Sequence, residues 1–120
     1  VRTADKYGNT PIFKACTNGN LLAAQCLFDH GAAEDVRTAN KNGWTPMFTA
    51  CFHGKIETAQ WLYDHGAAED VRTLNEYGDM PMFTACKNGN LESAQWLFDH
   101  GAAEDVRKAV NYGVTPIRSA

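Results

Sequence analysis

The chain has 120 residues, of which 44% are hydrophobic, and a formal net charge of −3. It contains no basic stretch, so it lacks the electrostatic footprint of a nucleic-acid-binding protein. No apolar run approaches the length needed to span a membrane, and no signal peptide is visible, so we expect neither nucleic acid nor a membrane as a partner.

The dominant pattern along the chain is an internal repeat of 35 residues. The phrase Asp-His-Gly-Ala-Ala-Glu-Asp-Val-Arg occurs without change at residues 29–37, 64–72 and 99–107. All ten Gly fall into three series with this period, and all four Pro fall into one. A period of this length is typical of a stack of like structural units.

The repeat predicts one domain spanning residues 1–120. Each unit is expected to contain two short helices, and a finger joins each unit to the next. The predicted parts are a partial finger at 1–7, full repeats at 8–42, 43–77 and 78–112, and a truncated first helix at 113–120.

Local signals predict the elements of the second repeat in chain order. Thr45 can cap the first helix, and Gly54 ends that helix after about two turns. The second helix covers residues 56–63, whose apolar side chains suit one broad buried face. Gly66 then stops it in the left-handed conformation. Residues 67–77 have no helical period and are expected to form an extended, hairpin-like finger.

The second repeat reads Gly43-Trp44-Thr45-Pro46-Met47-Phe48-Thr49-Ala50-Cys51, then Gly54, Leu62 and Gly66-Ala67. This order resembles the ankyrin repeat, whose family pattern is G-x-T-P-L-H-x-A-A, then G-H, L-L and G-A-D-V-N. The resemblance extends over the whole chain. It implies an all-α repeat solenoid, an ankyrin-like stack of helix-turn-helix units joined by hairpin-like fingers, and a role in protein–protein interaction.

Three departures from the ankyrin pattern carry expectations of their own. The repeat is longer than the usual 33 residues, and the added length falls around residues 67–72, so the fingers should be longer or bulged. Met80 replaces the capping Thr, so the third repeat should lack a helix cap, at a cost of roughly 1 kcal/mol unless Asp79 substitutes. Phe13, Phe48 and Phe83 stand where the family has His, and Arg118 stands there last, so we expect aromatic stacking between neighbouring repeats to replace the hydrogen bonding of that His.

The second helices differ in bulk from repeat to repeat. Trp61 and Trp96 are expected to pack in the core of the second and third repeats. The first repeat has only Ala23, Ala24 and Cys26 in this region, so its second helix should be the least protected of the three.

The cysteine series argues against disulfides. Cys16, Cys51 and Cys86 share one repeat position, and equivalent residues on stacked helices lie about 8–10 Å apart, beyond the reach of a disulfide. Small buried residues in a reducing compartment are the favoured interpretation. We therefore expect an intracellular protein, cytoplasmic or nuclear.

Other ionisable residues point to structure rather than chemistry. The His that ends each second helix is favourable against the helix dipole, and no Cys or His lies at zinc-finger spacing, so no metal or cofactor is expected. Glu69, Asp70 and Arg72 recur in every finger and predict charge pairing along the stack, worth about 0–1 kcal/mol for an exposed pair.

Catalysis has little support in the sequence. An active site needs a unique constellation of nucleophile, acid or base. Nearly every ionisable residue here belongs to a repeated series, and His53, which does not, has no evident Ser or Cys partner. We expect no catalytic residues and no enzymatic activity.

Specificity is expected where the repeats differ, on the concave face that ankyrin repeats use for binding: the finger tips and the first helices. Trp44 and Phe52 are unique at their positions, which favours a binding role, and Trp and Tyr are common binding hot spots. Tyr7, Tyr77 and Tyr112 recur, which favours a structural role for them. The predicted partner-binding residues are Trp44, Phe52, Tyr77, Tyr7, Tyr112, Lys14, Lys41, Glu76, Asp79, Lys87 and His53.

Two functions of different classes remain open. The first is a recognition module that binds a protein partner on the concave face. The second is a structural spacer, or a designed or consensus-like scaffold segment that self-associates end to end. Neither end of the sequence carries a polar capping unit, so it resembles a segment of a longer array. The verbatim repeats allow design, whereas the scattered Cys and the irregular Met80 favour a natural origin.

Overall fold

The computed structural model of the protein describes residues 2–106. Within this range the chain is helical and contains no strand, in agreement with the predicted all-α repeat solenoid. The predicted helix at 113–120 and the end of the third repeat lie outside the described residues. The helices are α1 (Pro11–Thr17), α2 (Leu21–Leu27), α3 (Pro46–Phe52), α4 (Ile56–Leu62), α5 (Pro81–Lys87) and α6 (Leu91–Leu97).

The helices stack in two layers. The first helices α1, α3 and α5 contact one another in order, and so do the second helices α2, α4 and α6. Helices of seven residues are too short to be stable alone in water, so each depends on burial against the next repeat. The core between the layers contains Met47, Phe48 and Leu62, all fully buried.

The predicted caps of the first helices are confirmed. The hydroxyl oxygens of Thr10 and Thr45 each accept a hydrogen bond of 3.1 Å from the backbone N–H three residues later. Within the described chain no side chain caps α5, so Asp79 does not substitute for the missing Thr. Met80 is buried and joins the hydrophobic core instead. The third repeat has therefore exchanged a hydrogen-bonding cap for apolar burial.

The prediction of an extended segment directly after each second helix is wrong. The chain turns at Gly31, Gly66 and Gly101, whose φ angles of 110–117° favour glycine, and then enters a helical turn rather than an extended strand. The turns that contain these glycines have π-helical hydrogen bonding and span Phe28–Ala32, Tyr63–Ala67 and Phe98–Ala102. Turns of 3₁₀ helix follow at Ala33–Arg37 and Ala68–Val71.

The helical conformation of this turn buries a carboxylate. In the second repeat, Ala67, Asp70 and Val71 are all buried, whereas Glu69 is exposed. Their spacing of three and four residues places the buried side chains on one side of a helical turn. The added residues of the long repeat thus form a compact turn, and only the finger tip beyond it resembles a hairpin.

Charge pairing between repeats is confirmed. The pairs with Glu34, Glu69 and Glu104 are exposed, as expected, whereas the pairs with Asp35, Asp70 and Asp105 bury the carboxylate. Arg37 donates two hydrogen bonds, of 2.9 and 3.1 Å, to the carboxylate of Asp70 in the next repeat, and Asp70 is only 1% exposed. Arg2 bonds Asp35, and Arg72 bonds Asp105, in the same way. The hydrogen bond from Arg2 holds the pKa of Asp35 below its ordinary value. Each finger turn is therefore tied to its neighbour by a bidentate ion pair.

The second helices carry an aromatic series that links the repeats. Trp61 and Trp96 are buried in the core as predicted. The ring of Phe28 packs edge-on against Trp61 of the next repeat at 5.4 Å, and Tyr63 meets Trp96 in the same manner at 6.0 Å. These aromatic contacts between repeats join the second helices to the turns that follow them, whereas Phe48 packs against Trp44 of its own repeat.

The first repeat is expected to exchange its amide protons fastest. In α2 only Ala24 is buried, whereas α4 buries Thr58, Ala59, Trp61 and Leu62. Amides of the region Leu21–Phe28 should therefore exchange sooner than those of α4 in a native-state hydrogen-exchange experiment, since local opening there exposes less apolar area. Equal protection of α2 and α4 would contradict this prediction.

Candidate partner-binding face

Each finger tip is built around one Asp or Asn side chain. The side-chain oxygen of Asn40 accepts hydrogen bonds of 3.0 Å from the backbone N–H groups of Asn42 and Trp44. Asp5 and Asn75 make the equivalent bonds in the neighbouring tips. This anchor was not predicted, although Asp or Asn three residues before Gly is a common turn signal.

Backbone hydrogen bonds join neighbouring tips edge to edge. The N–H of Lys41 donates to the carbonyl oxygen of Tyr7, and that of Glu76 to the carbonyl oxygen of Asn42, both at 3.0 Å. Gly43 has a φ of +79°, and a Cβ atom there would lie 2.6 Å from the nitrogen of Glu76. The tips therefore need glycine at this position to approach one another.

The first helices form the floor beneath the tips. The hydroxyl oxygens of Thr17 and Thr49 lie 2.9 Å apart and link α1 to α3. Nδ1 of His53 lies 2.9 Å from the carbonyl oxygen of Thr49. Because a carbonyl oxygen can only accept, Nδ1 carries the proton and Nε2 remains available to another group.

A groove of about 360 Å³ lies between the first two tips and the helices α1 and α3. We call it the tip groove. Its lining includes the side chains of Asn9 and Asn42 from the tips, and of Lys14, Thr17, Trp44 and His53. Three of the predicted partner-binding residues, Lys14, Trp44 and His53, are thus brought together around one groove.

Trp44 and Phe52 belong to one aromatic cluster. The ring of Trp44 lies 4.6 Å from that of Phe48 and 4.9 Å from that of Phe52, and Phe52 lies 5.0 Å from His53. Phe48 is fully buried, whereas Trp44 and Phe52 are half-buried. Phe52 therefore supports Trp44 from behind rather than lining the tip groove itself.

The remaining predicted residues lie outside this groove. Tyr7 and Tyr77 are 60% and 68% exposed, so their side chains are not packed as a structural series would require. Tyr112 lies outside the described residues. Lys41, Glu76 and Lys87 are exposed, and Asp79 is half-buried.

The cysteine series is buried, as predicted. Burial raises the pKa of Cys16 and Cys51 to about 12 and that of Cys86 to about 11, which makes these thiols poor nucleophiles. Cys26 is the exposed cysteine of the described chain. The structure thus places the three equivalent cysteines at helix contacts rather than at a reactive site.

The histidines that end the second helices have structural partners. Nδ1 of His65 donates to the carbonyl oxygen of Trp61 at 2.7 Å, and the two rings stack at 4.6 Å. His100 makes the same contacts with Trp96. Among residues 2–106, no three His, Cys, Asp or Glu side chains cluster so as to hold a metal ion, and no helix has the length and hydrophobicity to cross a bilayer.

Comparison with known protein families supports the resemblance seen in the sequence. A family model for ankyrin repeats, in a form with three copies, matches residues 1–73, which is more than half of the chain. A search of curated proteins found no match. Ankyrin repeats are generally protein–protein interaction modules and are typically non-enzymatic. The repeats, their stacking and this match together show that the chain belongs to the ankyrin repeat family.

Proposed function

We propose that this protein is a recognition module that binds a protein partner on its finger tips and first helices, with the tip groove at the centre of the contact. The observation that supports this most directly is the position of Trp44, which lines the groove while Phe48 and Phe52 hold its ring. A rigid, half-exposed aromatic side chain beside a concave surface is a common binding hot spot.

Unused polar groups beside Trp44 support the same proposal. The indole N–H of Trp44 and the side-chain amide of Asn42 make no hydrogen bond within residues 2–106. A partner that enters the tip groove can satisfy both groups, and such bonds fix the orientation of a ligand. The third tip and α5 extend this surface within residues 2–106. We propose that residues 1–120 form one domain in a reducing intracellular compartment.

Replacement of Trp44 by Ala is expected to weaken partner binding by about 30-fold or more, the effect of losing one hot-spot side chain. Phe52→Ala should act in the same direction, because Phe52 supports the ring of Trp44. Affinity capture from a native lysate, followed by titration of the captured protein against each variant, measures the effect. The thermal midpoint of Trp44→Ala should stay close to that of the wild type.

Leu22→Ala is a matched control, because Leu22 is 79% exposed on α2, away from the tip groove. Its partner binding should equal that of the wild type. A spacer that self-associates through its ends would instead show concentration-dependent oligomers in sedimentation velocity, and its capture of other proteins would not depend on Trp44. Equal capture by wild type and Trp44→Ala would reject the proposed function.

A further inference from the structure

Three lysines lie in or beside the tip groove of a chain whose net charge is −3. Lys14 lines the groove, and the exposed Lys6 and Lys41 lie on the tips beside it. No carboxylate is among the described residues that line the groove. Two acids lie beside the groove. The carboxylate of Asp5 accepts hydrogen bonds from the N–H groups of Asn9 and Tyr7 and forms an ion pair of 3.3 Å with Nζ of Lys14. The exposed Glu76 lies on the third tip, and its N–H donates to the carbonyl oxygen of Asn42.

Three highly exposed acids lie away from the groove. Glu34, Glu69 and Glu104 are more than 80% exposed, but they sit on the finger turns that follow the second helices, away from the groove lining. Lys6, Lys14 and Lys41 outnumber the two acids beside the groove, so negative charge on a partner is attracted there.

The sign of the charge changes along the face. The first two tips carry Lys6 and Lys41, whereas the third tip carries Glu76 and Asp79. A uniformly charged polyanion such as a nucleic acid, which presents phosphates along its whole length, would be repelled as it passed the third tip. A peptide can place its acidic residues beside the first two tips only.

The groove also suits an extended peptide backbone. The side-chain amide of Asn42 makes no hydrogen bond within residues 2–106 and can both donate and accept, as a peptide group does, whereas the amide of Asn9 already bonds Asp5 and Asn40. The ring of Trp44 offers an apolar surface beside Asn42. We propose that the tip groove binds an acidic, extended peptide segment, with carboxylates beside Lys14 and Lys41 and one apolar side chain against Trp44. This inference rests on the proposed function and names the chemistry of its partner.

The test uses fluorescence anisotropy with a labelled peptide in which Asp and Glu alternate with Gly around a central Leu. The comparison peptide has Lys at every acidic position, and a single-stranded oligonucleotide serves as the polyanion. The acidic peptide should bind most tightly, and its binding should weaken as salt rises, because the Debye length falls from about 10 Å at 0.1 M to about 3 Å at 1 M.

Two double variants with the same change in net charge, one at the groove and one away from it, test the role of the lysines. Lys14→Gln/Lys41→Gln and Ala33→Glu/Ala103→Glu each lower the net charge by two, and Ala33 and Ala103 are exposed on finger turns outside the groove. The lysine variant should bind the acidic peptide about tenfold more weakly, and the alanine variant about as well as the wild type. Thermal midpoints measured alongside show that both variants are folded.

Equal binding of the acidic and lysine peptides, tighter binding of the oligonucleotide, or equal effects of the two double variants would overturn the inference. A competition experiment distinguishes failure of the acidic-peptide inference from failure of the proposed function. If a lysate protein is captured in a Trp44-dependent manner and the acidic peptide does not compete with it, only the acidic-peptide inference fails. If neither capture nor peptide binding depends on Trp44, both fail.

Discussion

Trp61→Ala is expected to lower the free energy of unfolding by about 3–5 kcal/mol, the usual cost of removing a large buried aromatic side chain. Trp61 is 8% exposed and contacts Phe28 of the preceding repeat and His65 of its own. The stability of a repeat array depends on the interfaces between neighbouring repeats, so one substitution here loosens the whole stack. Urea denaturation followed by circular dichroism measures the change.

Trp44→Ala provides the comparison for this prediction, because it is the same chemical change at a half-buried position. Its cost in unfolding free energy should be clearly smaller than that of Trp61→Ala. Equal losses of unfolding free energy in the two variants would show that Trp44 is as important to the core as Trp61, and would contradict this prediction.

Arg37→Ala is expected to cost about 2–4 kcal/mol, because it leaves a buried carboxylate without its ionic partner. Asp70 would then keep only the hydrogen bond of 2.8 Å from the hydroxyl group of Thr73. We expect a smaller loss of unfolding free energy than for a fully buried ion pair, because the side chain of Arg37 is 46% exposed.

Glu69→Ala is the matched control, since Glu69 also faces Arg37, at 3.7 Å, but is 82% exposed. An exposed ion pair of this kind contributes at most about 1 kcal/mol, so this variant should be nearly as stable as the wild type. A double-mutant cycle of Arg37→Ala with Asp70→Ala isolates the pairing energy. Equal losses for Arg37→Ala and Glu69→Ala would show that burial of Asp70 does not strengthen the bridge.

Local chemistry in the sequence was sufficient for the helix boundaries. The hydroxyl of Thr45 caps a helix with the N–H of the third residue along, and Gly66 turns the chain through its own φ angle. Both effects involve only neighbouring residues, so the pattern of one repeat predicts them. The burial of Trp61 followed in the same way from helical periodicity repeated in each unit.

The finger turn could not be predicted from such local signals. An Asp beside a Glu and an Arg looks like a solvated charge, and residues 67–77 have no helical period, so the sequence predicts an extended segment. Asp70 is buried because Arg37, in the preceding repeat, reaches across the interface and compensates its charge. The partner is remote in sequence, so the local residues alone do not show that this turn can fold inward.

For the candidate binding residues, too, one part was predictable from the sequence and another depends on the tertiary structure. Variation between repeats selected Trp44, Lys14 and His53 from the sequence, and the structure brings all three to the tip groove. Their proximity results from tip-to-tip hydrogen bonds and helix stacking between two repeats, which no single repeat contains. The repeat pattern was thus enough for the architecture of one unit. The groove and the buried ion pairs arise only where two units meet, because both are properties of the interface.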